Sequence, residues 1–268
     1  MQAVLLFLCL ASFQIGILGS PANYTIKMMN WGVDGEANAV DLAVKDVNNN
    51  PLILPNTFVD YSYVNHDLNP AVAVEAMIDY SNEDTTLVIG NPLSTISAQT
   101  GVVGTVYGIA QISSSASATF FSDNLKYPYF SRLIPANSEE TFAIADVISY
   151  YFDIGGIGWK DVALICTSEE YGIDTSMNFI DVARDNDITI HTFQQYLIDQ
   201  TNLSVELGEI KRSDARVIVA FVLLDFQNLV LAANESELIG ENYVWFVSHP
   251  GLDLDGLNST TVELYQGI

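Results

Sequence analysis

The chain has 268 residues, of which 49% are hydrophobic and 16% charged, a composition typical of a globular protein and not of a disordered one. Its 33 acidic and 9 basic residues give a formal net charge of −24. A field of that sign repels nucleic acid and anionic lipid surfaces, so both are poor partners. The length is sufficient for two domains.

The N-terminus has the pattern of a secretory signal peptide, predicted over residues 1–19. An apolar segment at residues 3–11 is followed by small residues, Gly19 and Ser20, suited to cleavage. No Lys or Arg precedes the segment. The alternative is an uncleaved membrane anchor, but the apolar run is shorter than the ~20 residues that a span needs. The sequence therefore predicts entry into the secretory pathway.

Two further features fit secretion. Four N-glycosylation acceptor triplets begin at Asn23, Asn202, Asn234 and Asn258. Cys9 lies in the signal, so Cys166 is the one cysteine of the mature chain and no intrachain disulfide can form. Because Cys166 lies in an apolar run, we expect it to be buried, with an intermolecular bridge as the alternative.

Apolar strands and amphipathic helices alternate along the mature chain. Predicted strands cover residues 24–30, 57–64, 87–90, 109–117, 161–167, 188–193, 216–222 and 243–247, and the better-defined helices cover 33–47, 70–80, 94–107, 139–153 and 173–183. Uniformly apolar strands separated by helices are typical of parallel sheets covered on both faces. A change of pattern at residues 135–139 divides the chain into two α/β lobes, 20–136 and 137–268, with a cleft between them.

The stretch from residue 87 to residue 135 contains two hydroxyl-rich loops. The first, at residues 91–95, and the second, at 113–117, each follow a predicted strand. In an open parallel sheet ligands bind outside the carboxyl ends of strands, and such loops offer hydroxyl and backbone N–H donors to a small anionic group. The alternative is that they are ordinary turns and helix caps, where Ser and Thr are common.

No pattern of catalysis is present. The glycine run at residues 155–158 follows a helix and not a strand, which is the wrong context for dinucleotide binding. A phosphate-binding loop and a nucleophile elbow are both missing from the sequence. His66, His191 and His249 lack metal-ligand spacing. We therefore predict a protein that is not an enzyme and that has no cofactor or metal.

Several segments resemble the Venus-flytrap ligand-binding domain of class C G-protein-coupled receptors, a branch of the type I periplasmic-binding-protein superfamily, with type B GABA receptors the most similar. The segments are residues 39–48, 127–135, 158–163, 211–219 and 243–246. The resemblance implies a two-lobed fold and an extracellular receptor module that senses a small amino-acid-like ligand by lobe closure.

The resemblance also implies a ligand site between the lobes. The residues it assigns are Ser94, Ser115, Ala116, Ser117, Tyr171 and Trp31. Ser94 and the loop of Ser115 and Ser117 would hold the ligand's carboxylate, with Ala116 offering only its backbone. Tyr171 and Trp31 would cover the ligand's body.

Three positions depart from the family pattern. Ile134 replaces a histidine and Leu223 a tyrosine of the GABA-binding subunit, and Asn137 replaces an aspartate of glutamate-type receptors. Losing such contacts typically costs ~1–3 kcal/mol each. GABA itself is therefore a doubtful ligand, and a subunit that pairs with a ligand-binding partner without binding ligand is an alternative.

Family members extend beyond residue 268, so the resemblance implies a C-terminally truncated receptor, a soluble splice form or an incomplete gene product. The full-length receptor would lie at the plasma membrane and reach a G protein through a membrane region missing here, whereas a natural chain of this length would be a secreted solute-binding or decoy protein. Homo- or heterodimers would pair through the helices at 70–80 and 94–107.

Overall fold

The computed structural model describes residues 23–30, 34–83, 85–155, 159–224 and 226–248. They form two compact units. Unit 1 takes the described residues through Ala116 together with Asp123–Ile134, and unit 2 takes Ser117–Ser122 with the described residues from Pro135 onward.

Unit 1 is a five-stranded parallel sheet with helices between its strands. In chain order its elements are β1 (Asn23–Asn30), α1 (Asp34–Asn49), β2 (Phe58–Asn65), α2 (Pro70–Ser81), β3 (Leu87–Ile89), α3 (Ser94–Tyr107), β4 (Ala110–Ser113) and β5 (Phe130–Arg132). The strand order is β2-β1-β3-β4-β5. The chain therefore reverses its direction of travel across the sheet between β1 and β3.

Local sequence signals set the helix bounds in unit 1. Pro70 occupies the first turn of α2, and the Asn69 side chain caps that helix by accepting the Ala71 N–H. Gly108 ends α3 in the left-handed region at φ 72°, where a Cβ would be strained. Gly104 is required for another reason, since a Cβ there would lie 2.8 Å from the Ile109 carbonyl oxygen.

The core of unit 1 lies on both faces of the sheet. One cluster joins β1, α1 and β2 through Ile26, Val44 and Val59. The other joins α2 and β3 through Met77 and Val88. Coverage of both faces is the arrangement that near-continuous apolar parallel strands require.

Unit 2 repeats this architecture with four strands. Its elements are the 3₁₀ helix Thr119–Ser122, α4 (Asn137–Gly155), β6 (Asp161–Thr167), α5 (Glu170–Asp185), β7 (Thr189–Tyr196), α6 (Ser204–Arg212), β8 (Val217–Phe221), α7 (Phe226–Glu235) and β9 (Val244–Ser248). The sheet is parallel, in the order β7-β6-β8-β9. All five residues of β8 are buried, so this strand is covered on both faces.

Two tryptophans are built into unit 2. Trp245 is 7% exposed within the larger apolar cluster, and its indole N–H donates to the Leu238 carbonyl oxygen over 2.8 Å. The Trp159 ring stacks on Tyr151, with the ring centroids 4.7 Å apart. Cys166 is a buried free cysteine in β6, as predicted.

The predicted α/β class with parallel sheets is confirmed, and the fold is that of a type I periplasmic-binding protein. One strand was predicted too long: residues 109–117 give a strand that ends at Ser113, because the Ser113 hydroxyl accepts the Ala116 N–H and turns the chain. The short strand β5 was not predicted. Among the helices of the described residues, none combines the length and apolar composition that a membrane span requires.

The segment Ser117–Ser122 was assigned to the first lobe from the sequence, but it clusters with unit 2. The Asn137 N–H donates to the Ser117 carbonyl oxygen over 2.9 Å. The Thr119 N–H donates to Asp174 Oδ2 over 2.6 Å. These two bonds anchor the segment to α4 and α5, so the chain leaves unit 1 immediately after Ala116.

Candidate functional site: two loops at the carboxyl edge of the first sheet

The loops that follow β3 and β4 lie side by side in unit 1. Ile89 is in register with Ile112, and the Gly90 N–H donates to the Ile112 carbonyl oxygen over 2.8 Å. In a sheet of order 2-1-3-4-5 the ligand crevice lies where the strand order reverses, at the carboxyl ends of the first and third strands. The loop after β3 is at that position, and the loop after β4 is its neighbour.

The loop after β3 is held from below by a buried polar network. Asn91 is fully buried, and its amide donates to Thr100 Oγ1 on α3 over 2.9 Å. The Ser97 hydroxyl donates to the Asn91 carbonyl oxygen over 2.7 Å. Gly90 has φ 114°, a conformation that favours glycine. The loop is thus fastened to the first turns of α3.

Ser113 joins the second loop to the first. Its hydroxyl donates to the Asn91 carbonyl oxygen over 2.6 Å and accepts the Ala116 N–H over 2.9 Å. A longer contact of 3.4 Å reaches it from the Ser115 N–H. The predicted offer of the Ala116 amide to a ligand is therefore replaced, in this conformation, by a bond within the loop.

The next two serines contact different partners. The Ser115 hydroxyl donates to the Pro92 carbonyl oxygen over 3.0 Å. The Ser114 hydroxyl donates to Glu36 Oε1 on α1 over 2.9 Å. The structure therefore brings the two predicted loops into direct contact and adds a carboxylate that the sequence did not single out.

Ser94 is the first residue of α3 and is 4% exposed. The residue that precedes it, Leu93, is the N-cap and supplies no side-chain hydrogen bond. Because the first N–H groups of a helix have no partner within the helix and carry partial positive charge, this end of α3 favours an anion.

The remaining predicted ligand residues lie elsewhere. Ser117 and Tyr171 belong to unit 2, and Trp31 lies outside the described residues. Tyr171 is 4% exposed, and its hydroxyl is hydrogen-bonded to Ser248 Oγ. Burial is the main cause that raises its pKa far above the usual value of 10.0. Its role as a cover for a ligand stays a prediction.

At the corresponding edge of unit 2, the chain caps its own helix with Glu169. This carboxylate accepts the N–H groups of Tyr171 over 2.8 Å and Gly172 over 2.7 Å, at the start of α5. The Thr167 hydroxyl donates to it over 3.0 Å. Burial raises the pKa of Glu169, while those three bonds oppose the rise. A helix N-terminus that already holds a carboxylate is a poor site for another anion.

His66 follows β2 and is 1% exposed, at the same edge of unit 1 as Asn91. Burial is the largest effect and lowers the pKa of the imidazole below 6.5, opposed by the Asn91 side chain and the Asp67 carboxylate. The sequence identified His66 only as a structural histidine. The described residues contain no group of three or more side chains able to hold a metal ion.

The three departures from the family pattern are structural in part. Asn137 is 3% exposed, and its amide donates to Thr175 Oγ1 over 2.6 Å. Leu223 is 5% exposed. Both are thus integrated into the core of unit 2.

Of the four glycosylation acceptors, Asn202 and Asn234 are exposed. Asn23 is the first residue of β1, and its side chain is outside the described part. Asn258 also lies outside the described residues. Modification of these sites stays a prediction.

A family model described as the receptor family ligand binding region matches residues 35–268. Among curated proteins, the chain is 30% identical over 136 residues to glutamate receptor 3.1 of Oryza sativa subsp. japonica, a match that covers 51% of the chain. It is 24% identical over 213 residues, or 78% of the chain, to gamma-aminobutyric acid type B receptor subunit 1 of Caenorhabditis elegans.

A third relative is the extracellular calcium-sensing receptor of Sus scrofa, 27% identical over 220 residues and 74% of the chain. These matches cover 14%, 22% and 19% of the respective relatives. The chain therefore spans about a fifth or less of the length of the receptors it resembles.

Proposed function

The chain belongs to the receptor family ligand binding region, and from that premise we propose that it is an extracellular module that binds a small, amino-acid-like ligand. The ligand's carboxylate is held at the loops after β3 and β4. Ser94 and Ser115 supply hydroxyl groups, and the start of α3 supplies backbone N–H groups and positive potential.

One observation carries this proposal: the two serine loops are adjacent at the edge of the sheet where ligands bind. The Ser115 hydroxyl contacts the Pro92 carbonyl oxygen over 3.0 Å, two residues before α3 begins at Ser94. A carboxylate at this position replaces that internal bond with a charge-assisted one, which is about twice as strong as a neutral hydrogen bond.

Isothermal titration calorimetry of the purified chain against a panel of amino acids and related carboxylates tests the proposal. Ser94→Ala and Ser115→Ala are each expected to weaken binding about tenfold, because each removes a hydrogen bond to a charged group worth ~1.5–3 kcal/mol. Ser62→Ala, at an exposed position on β2, is the control and should bind as the unchanged chain does.

Two results contradict the proposal. One is a panel in which no carboxylate binds the folded chain. The other is a carboxylate whose affinity is the same in the unchanged chain and in the double variant Ser94→Ala/Ser115→Ala.

Binding is proposed to act by population shift. If the ligand contacts both units only in a closed arrangement, it stabilises that arrangement by the difference in its affinity for the two states. Tyr171, Ser117 and Trp31 are the residues proposed to meet the ligand on closure. A decrease in the radius of gyration on addition of a bound carboxylate, measured by small-angle X-ray scattering, is the expected result.

A second candidate function is that of a partner subunit that binds no ligand. The observation favouring it is that donors of both loops already have partners within the chain. The Ala116 N–H donates to Ser113, and the hydroxyl groups of Ser114 and Ser115 donate to Glu36 and Pro92. A secreted solute-binding protein remains the third candidate. Calorimetry separates the first from these, since a partner subunit gives no heat of binding.

Dimerisation is proposed through α2 and α3, which pack against each other in unit 1. Large apolar side chains are exposed on these helices: Val72, Ile78, Val102, Val106 and Tyr107. Such a patch favours a protein partner. The pairing is non-covalent, since the mature chain's cysteine, Cys166, is fully buried.

A further inference from the structure

A carboxylate lies against the second serine loop of unit 1. Glu36 is in the first turn of α1, is half-buried, and accepts the Ser114 hydroxyl at Oε1 over 2.9 Å. Its chemistry is opposite to that of the loops it contacts, since hydroxyl and N–H groups favour an anion and a carboxylate repels one.

A short series of contacts connects Glu36 to the proposed carboxylate site. The hydroxyl oxygens of Ser114 and Ser115 are 3.5 Å apart, and the Ser115 hydroxyl donates to the Pro92 carbonyl oxygen. Glu36 is thus within one small molecule's length of the start of α3, at Ser94. A purely anionic ligand at α3 would meet Coulomb repulsion from this side chain, in partly desolvated surroundings where screening is weak.

The basic residue closest in register to this loop is Arg132, on β5. It pairs in register with Ser113, on the side of β4 that faces away from β3. The Arg132 side chain also has interactions with other residues of its own. Glu36 therefore remains an acceptor for a cationic group that approaches the Ser114 side of the loop.

Resting on the function proposed above, we propose that Glu36 is the specificity-determining contact for the ligand's ammonium group. The ligand is a zwitterion whose carboxylate meets the start of α3 and whose ammonium meets Glu36. Monocarboxylates without an amine and dicarboxylates without one are rejected, because each leaves Glu36 beside an uncompensated negative charge. The net charge of −24 disfavours anionic ligands further.

The test compares matched pairs of ligands on the full chain by calorimetry: L-alanine with propionate, 4-aminobutyrate with butyrate, and L-glutamate with glutarate. The better member of the panel is expected to bind at least about tenfold more tightly than its amine-free analogue, the factor typical of a charge-assisted hydrogen bond. Equal affinity within that pair would overturn the inference without any variant being made.

Variants then assign the discrimination to Glu36. Glu36→Gln keeps an acceptor oxygen for Ser114 and removes the charge, so it should bring the two members of the pair to within about threefold of each other. Asp46→Asn removes an exposed charge from the same helix and should leave the preference unchanged. If Glu36→Gln is folded by circular dichroism and keeps the full preference, the assignment is wrong.

The failure of this inference differs from that of the proposed function. If propionate, butyrate or glutarate binds as well as its amino analogue and Ser94→Ala weakens both, the carboxylate site stands and the role of Glu36 falls. If no ligand of the panel binds the folded chain, the proposed function fails and takes this inference with it.

Discussion

The Ser113 hydroxyl donates to the Asn91 carbonyl oxygen over 2.6 Å while accepting the Ala116 N–H over 2.9 Å. One side chain therefore fixes the loop after β3 against the loop after β4. Both neighbours are fully buried, so water cannot replace either bond without opening the structure. Ser113 is thus a positioning residue for the candidate site, although it need not touch a ligand.

Ser113→Ala should lower the free energy of unfolding by ~1–3 kcal/mol, because the buried Ala116 N–H loses its acceptor. The Asn91 carbonyl oxygen keeps a second donor in Ser97, so the loss is limited to one orphaned group. Urea unfolding measured by circular dichroism checks this value. Ser131→Ala, exposed on β5, should change the unfolding free energy by less than ~0.5 kcal/mol; an equal effect of the two substitutions would contradict the role assigned to Ser113.

Two glycines of unit 2 should respond in opposite directions to alanine. A Cβ at Gly172 would lie 2.2 Å from the Thr167 carbonyl oxygen, whereas a Cβ at Gly208 would meet only the flexible end of Arg212, at 3.8 Å. Gly172→Ala should therefore destabilise the chain by ~1–3 kcal/mol or more through overpacking. Gly208→Ala, inside α6, should stabilise it by ~0.5–1 kcal/mol. Thermal unfolding of the two variants in one buffer gives both signs, and a stable Gly172→Ala would show that the start of α5 can move.

His66 should make stability depend on pH. Its native pKa is lowered below 6.5 by burial, so the unfolded chain binds the proton more readily than the folded chain. The stability contribution is present above 6.5 and is lost as the pH falls through that value toward the native pKa. Urea unfolding between about pH 7.5 and about pH 5.5 should show this loss in the unchanged chain.

The control for His66 is the second described histidine. His66→Gln should remove the pH-dependent part of the stability in that window, and His191→Gln, at an exposed position beside Asp161, should keep it. A His66→Gln profile that follows the unchanged chain over the whole window would mean that another group is responsible.

Val106→Glu should abolish the proposed dimer. Val106 is 72% exposed on α3, so a charge there disturbs little within the monomer but would be buried unpaired in a dimer. Val205 is 68% exposed on α6 in unit 2, and Val205→Glu is a matched control. Sedimentation of the three chains at micromolar concentration is the measurement; a monomeric unchanged chain, or a dimer that survives Val106→Glu, counts against the α2–α3 interface.

Long elements with continuous patterns could be predicted from the sequence. The apolar run at 161–167 is β6 with the predicted bounds, because each of its residues lies on a covered strand. The three-residue strand β5 could not be predicted, since it lies between Pro128 and Pro135 and is too short to show a period. Its place in the sheet depends on β4, its hydrogen-bonded neighbour.

The candidate site shows where local patterns stop being informative. Ser113, Ser114 and Ser115 are identical neighbours in the sequence, but they contact Asn91, Glu36 and Pro92 respectively. Which serine joins the loops and which contacts a carboxylate depends on the pairing of strands far apart in the chain. Glu36 is one of 33 acidic residues, and only its position beside Ser114 distinguishes it.

The placement of the tryptophans makes the two units spectroscopically separable. Trp159 and Trp245 both report on the interior of unit 2, and the third tryptophan of the sequence is Trp31. A Trp31→Phe chain would therefore give fluorescence from unit 2 alone, while far-ultraviolet circular dichroism follows both sheets. If the fluorescence and dichroism midpoints then differ, the halves melt independently, and a single two-state unfolding free energy cannot describe the whole protein.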